Sequence, residues 1–155
     1  MSWYKKSSNI KNKIKYIFKN HPFFKDILNN YMIPIDKVDD LQIHFKKLNG
    51  MLGFSDSEKI VIDVDLLENN FFTDNFYPVV HEFFHWVKRM SEKMFYFNDA
   101  EEVQGFILSM SWEFKNGKTK QEVINIFKPL ILKHFKNKNQ AKSIFKKMIE
   151  RAESM

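Results

Sequence analysis

His81-Glu82-Phe83-Phe84-His85 places two of the chain's five histidines four residues apart, with a glutamate directly after the first. On a helix, residues i and i+4 project from one face about 5–6 Å apart, so both imidazoles can reach one metal ion through neutral ring nitrogens. Glu82 stands beside the pair around the helix, where its carboxylate can take a proton from a metal-activated water without itself being a ligand. With this composition the pattern arises by chance about 0.01 times in a chain of this length. The alternative is a buried helix whose two histidines and glutamate are satisfied by other protein groups. Burying such residues among apolar neighbours is costly unless something pairs them, and a metal does so.

A catalytic zinc site takes three protein ligands and keeps a fourth position open, so a third His, Asp or Glu must lie nearby. Glu101 and Glu102 are the candidates, in the first turn of the next predicted helix, after a turn around Phe95, Tyr96, Phe97 and Asn98. Helical phase ranks them. Around a stripe of Val103, Phe106, Ile107, Met110 and Phe114, Glu102 lies about 100° from the centre and Glu101 about 160°. Glu102 is therefore the expected ligand. If Glu102 instead closes a capping box on the Asp99 amide, Glu101 takes its place.

The helix that must carry the motif is legible. Over residues 78 to about 92, Val79, Val80, Phe83, Phe84, Trp86, Val87 and Met90 surround it on nearly every side, which predicts a buried helix. The next helix is predicted over 99–116, with Asp99 as N-cap and Gly117 just past its end. Upstream, Leu41, Ile43 and Phe45 alternate with Gln42, His44 and Lys46, the period of a half-buried strand. Asn49-Gly50 marks a turn, residues 50–54 read as a short strand, Ser55-Asp56-Ser57 as another turn, and residues 59–65 as a β-branched, alternating strand. These segments predict a small sheet, mixed or mostly antiparallel. Ile10, Ile14, Ile17 and Phe18 predict an N-terminal helix ending near Asn20-His21-Pro22, followed by a second from Phe23 that Pro34 stops. Residues 119–132 and 139–152 predict two closing helices with Lys-rich outer faces. The expected fold is helix-rich α+β, in one domain over 1–155.

Composition narrows the chemistry. The 155 residues are 44% hydrophobic and 16% aromatic, far from the signature of disorder, and 4 Gly and 4 Pro are too few turn residues for a many-stranded barrel. The absence of Cys excludes disulfides, thiol catalysis, cysteine-ligated zinc and iron–sulfur clusters, so any metal must sit on His and carboxylates. No charge-free apolar stretch approaches 18 residues and no apolar segment follows the basic first residues, so a cytoplasmic protein without a membrane partner is expected.

The net charge of +6 conceals an uneven distribution. Residues 1–54 hold ten Lys against four Asp, and residues 115–151 hold ten Lys and Arg151 against Glu122 and Glu150. Between them, residues 55–102 hold eleven acids against Lys59, Lys88, Arg89 and Lys93. Lys133, Lys136, Lys138, Lys142, Lys146, Lys147 and Arg151 could lie along phosphates. A solvated helical face accounts for them as well, since there is almost no Arg for bidentate base contacts. His21, His44 and His134 read as surface histidines.

His81-Glu82-Phe83-Phe84-His85-Trp86, followed by Glu102-Val103-Gln104-Gly105-Phe106, resembles the zincin metallopeptidases of the gluzincin type, especially minimal single-domain and phage-encoded forms. The likeness spans about residues 48–114, within a zincin-like core of about 40–117 flanked by N-terminal helices (8–33) and basic C-terminal helices (119–152). It implies zinc held by His81, His85 and Glu102, with Glu82 as catalytic base and Gly105 as the small residue three places after the third ligand. It also implies that the strand pair over 50–65 borders a cleft and binds a peptide or protein substrate in extended conformation. The implied activity is hydrolysis of peptide bonds by a zinc metalloendopeptidase. The N-E-x-x-S-D pattern of larger thermolysin-like members is absent, and Tyr77, Tyr96 and His134 are the candidates for stabilising the oxyanion. A second reading is a zincin-fold metal-binding or regulatory module without peptidase activity, whose basic termini contact DNA or an acidic partner. The terminal helices could also cover the cleft and keep it latent.

Overall fold

The computed structural model describes residues 3–68, 70–92 and 99–155. Two compact units divide the chain at residues 96 and 97. The first carries α1 (Trp3–Asn20), α2 (Pro22–Asn30), α3 (Lys37–Asp40), β1 (Gln42–Lys46), β2 (Gly53–Ser55), β3 (Lys59–Asp63), a 3₁₀ turn (Val64–Leu66), α4 (Phe71–Asp74) and α5 (Tyr77–Glu92). The second carries α6 (Asp99–Lys115), α7 (Lys120–His134) and α8 (Lys138–Ser154). The architecture is helix-rich α+β, and among the described residues no helix is long and apolar enough to cross a membrane.

Chain geometry explains the breaks in the first unit. The α1–α2 break falls at His21, whose extended backbone and Nδ1 acceptor cap α2 through the Phe23 amide at 3.1 Å, with Pro22 at the first helical position. The expected surface histidine is thus an N-cap. Phe18, Phe24 and Phe83 then lock α5 against α1 and α2. Their ring centroids lie 4.9 Å (Phe18–Phe24), 4.4 Å (Phe18–Phe83) and 5.0 Å (Phe24–Phe83) apart, and all three side chains are fully buried. Each such ring removes a large apolar area from water, so this cluster fixes the rotation of α5 about its axis.

The sheet has the order β1-β3-β2 and is mixed. β2 and β3 form an antiparallel hairpin, but the longer ladder, from Gln42 opposite Lys59 to Lys46 opposite Asp63, is parallel. Asp56 sets the hairpin by accepting the amides of Glu58 and Lys59 at 2.8 and 2.9 Å, an Asx-type turn that reverses the chain within three residues. Residues 47–52 carry the chain from the end of β1 past β3 to the far edge, and β3 then returns into the centre alongside β1. Ile60, Val61 and Ile62 are fully buried, as a central strand requires.

In the second unit the helix ends are set by local chemistry. Gly117 adopts φ +91°, its amide bonds to Phe114 O at 3.1 Å, and the Lys118 amide bonds to Glu113 O at 3.0 Å. This is the Schellman closure for which glycine is suited. A capping box opens α7: the Glu122 amide donates to Thr119 Oγ1 at 3.2 Å and the Thr119 amide to Glu122 Oε1 at 3.1 Å. Val123, Phe127 and Ile131 of α7 and Ala141, Phe145, Met148, Ile149 and Ala152 of α8 supply buried apolar faces. The turn through Phe95, Tyr96, Phe97 and Asn98 lies outside the described residues, as does the Asp99 side chain of the capping box considered there.

Candidate metal centre

α5 carries the motif on a face where histidines recur among apolar residues. Val79, Val80, Phe83, Phe84, Trp86 and Val87 are buried, and His81, His85 and Glu82 are buried among them at 9%, 2% and 8% exposure. The four-residue spacing brings the imidazole centroids to 4.7 Å, with rings inclined at 70°, and the two Nε2 atoms to 3.1 Å. Two Nε2 lone pairs ligating one tetrahedral ion at about 2.0–2.1 Å would lie about 3.4 Å apart, close to this separation. The spacing of the two nitrogens therefore suits a zinc-sized cation.

Glu82 is fixed from the sheet side. Ser55 at the end of β2 donates its hydroxyl to Glu82 Oε1 at 3.0 Å, and the Ser55 side chain is itself buried. Gly53 allows this approach. A Cβ added there would lie 2.8 Å from Val61 O and 3.1 Å from Glu82 Cγ, so only glycine lets α5 come this close to the edge strand. The Glu82 carboxylate is consequently an anchored acceptor beside the imidazole pair, the placement a proton-transferring base requires.

The remaining sequence candidates are distributed as follows. Glu102 stands half-buried in the first turn of α6, while Glu101 beside it is only 5% exposed. The order of burial reverses the phase ranking, because α6 has no single apolar stripe. Ile107, Leu108, Met110 and Trp112 are all buried, and so are Ser109, Ser111 and Glu113. Tyr77 is the first residue of α5, four positions before His81. His134 ends α7 with its ring 4.9 Å from that of Phe135, and Tyr96 lies outside the described residues.

One participant, Ser55, escapes the sequence reading, and a buried arginine shares the motif's helix. Ser55 reads as a turn residue, and only its pairing with Ile60 at the end of β2 turns it towards Glu82. Arg89 is 2% exposed, and its position eight residues after His81 and four after His85 is the signal that could have placed it on the motif's face. Comparison of the chain with models of known protein families, with curated proteins and with solved structures finds no match.

Proposed function

We propose that this chain is a zinc-dependent peptidase of the gluzincin type, with His81, His85 and Glu102 as metal ligands and Glu82 as general base. One observation carries the reading: the Nε2 atoms of His81 and His85 lie 3.1 Å apart on one helix, next to Glu82, whose carboxylate Ser55 anchors. Two neutral nitrogens and one carboxylate oxygen are the donor set of catalytic zinc, which leaves a fourth position for water or substrate.

When bound, the ion would lower the pKa of a water molecule and polarise the scissile carbonyl. The chain's own residues do the rest. Glu82 accepts the proton of the attacking water and passes it to the leaving amine nitrogen. The Ser55 hydroxyl keeps the carboxylate turned towards its task through the 3.0 Å hydrogen bond. The apolar surroundings of α5 exclude bulk water and strengthen each of these interactions.

A second reading, a metal-holding module without turnover, is favoured by the depth of the motif, since His85 is 2% exposed and Glu82 8% exposed. One experiment tests both. Purified protein is expected to carry about one zinc per chain and to cleave an unfolded protein substrate, and Glu82→Gln should keep the metal and lose the cleavage. Metal-free protein from every preparation overturns both readings. Zinc with no difference between wild type and Glu82→Gln leaves the module.

A further inference from the structure

The groove along α7 and α8 of the second unit encloses about 320 Å³ and is lined by two kinds of side chain. Its floor is apolar, with Ile124 and Leu132 half-buried and Phe145 and Ile149 buried. Its walls carry Lys120, Lys128, Lys142 and Lys146 against a single acid, Glu150. Lys120, at one end, pairs with Glu153 at 3.3 Å, while Lys128, Lys142 and Lys146 extend into solvent.

The periodicity is that of two helix faces laid side by side. Lys120, Ile124, Lys128 and Leu132 recur every four residues along α7, and Lys142, Phe145, Lys146 and Ile149 recur every three or four along α8. From Lys120 to Leu132 the groove runs about 18 Å along the helix axis, at 1.5 Å per residue.

We propose that this groove docks an acidic amphipathic helix of a partner protein, its apolar stripe on Ile124, Leu132, Phe145 and Ile149 and its flanking carboxylates against the lysines. Charge complementarity selects this occupant. A fatty acid carries one charge at one end, whereas these lysines line both walls along the length of the groove. A nucleic acid offers charge along its length but no apolar stripe for the floor, and the lining contains no Arg for base recognition. A helix with acids on both sides of an apolar stripe matches both features at once. The groove is independent of the metal reading, because none of its residues belongs to the motif.

The test uses the full chain and a fluorescein-labelled helical peptide of about 14 residues, with leucines on one stripe and glutamates flanking it, followed by fluorescence anisotropy. Binding is expected, weakened at least tenfold by Lys128→Glu with Lys146→Glu and less than threefold by Lys147→Glu, which lies outside the lining. A scrambled peptide of the same composition should bind at least tenfold more weakly. Circular dichroism melts show that the variants are folded. The proposal is overturned if the peptide does not bind or the scrambled peptide binds equally. It also fails if the double reversal changes nothing, or if a single-stranded oligonucleotide or dodecanoate binds more tightly than the peptide and depends on the same two lysines.

Discussion

Ser55 Oγ on the edge strand donates to Glu82 Oε1 on the motif helix at 3.0 Å, with both side chains buried. The strand thereby sets the rotamer of the carboxylate proposed as general base. Replacing this donor leaves the proposed metal ligands untouched and loosens only the proposed base. Ser55→Ala is expected to lower kcat about tenfold with KM nearly unchanged. It should also destabilise the fold by about 1–3 kcal/mol, because a buried carboxylate oxygen loses a donor. Ser55→Thr, which keeps the hydroxyl, should restore most of the activity. Equal kcat in Ser55→Ala and wild type would remove Ser55 from the mechanism.

The 3.1 Å separation of the His81 and His85 Nε2 atoms underlies the proposal that the pair chelates one ion. His81→Ala and His85→Ala should each reduce bound zinc from about one per chain to nearly none, measured by plasma mass spectrometry after dialysis. Glu82→Gln should retain zinc and lose about 10²–10⁴ in kcat, the usual contribution of a general base.

The third ligand is separable by affinity. Glu102→Gln should weaken zinc binding far more than Glu101→Gln, about a hundredfold against a few-fold in competition with a chelating dye. The opposite ranking would move the third ligand to Glu101, the more buried of the two.

Gly53 sits where a methyl group would meet Val61 O at 2.8 Å and Glu82 Cγ at 3.1 Å. Gly53→Ala must push β2 away from α5, at about 1–3 kcal/mol in urea unfolding. Since the same movement lengthens the Ser55–Glu82 bond, activity should fall with stability. Ala at Gly50, where nothing lies within 4 Å of the added Cβ, meets only the strain of φ +86° and should leave kcat unchanged.

At the start of α7, hydrogen bonds from the Thr119 backbone amide and then its hydroxyl hold the Glu122 carboxyl below its ordinary value of 4.5. The folded chain thus binds fewer protons there than the unfolded chain. The stabilisation is complete above the ordinary value and is lost as pH falls through the lowered folded one. Thr119→Ala should cost about 1 kcal/mol at neutral pH. Glu122→Gln should flatten the acid limb of a plot of melting temperature against pH. An unchanged limb would show that the cap does not titrate with folding.

Much of the frame is readable from local pattern. The helices α1, α2, α5, α6, α7 and α8 lie within a few residues of where apolar periodicity, Pro22 and Gly117 predict them. The short α3 and α4 escape, because four residues cannot display a helical period. Strand polarity escapes too: the alternation in β1 and β3 is the same whether they pair parallel or antiparallel, and the path of residues 47–52 decides it.

The site divides in the same way. His81, Glu82 and His85 are determined by the sequence alone, because four residues along a helix place two side chains on one face whatever surrounds them. The absence of Cys confines their chemistry to nitrogen and oxygen donors. Tertiary structure alone decides that Ser55, read as part of a turn, becomes the donor to Glu82. It alone decides that Gly53 is the close-approach residue. Those facts depend on which strand end meets which helix face, and that is settled by long-range packing, through the Phe18–Phe24–Phe83 cluster and the return of β3 beside β1.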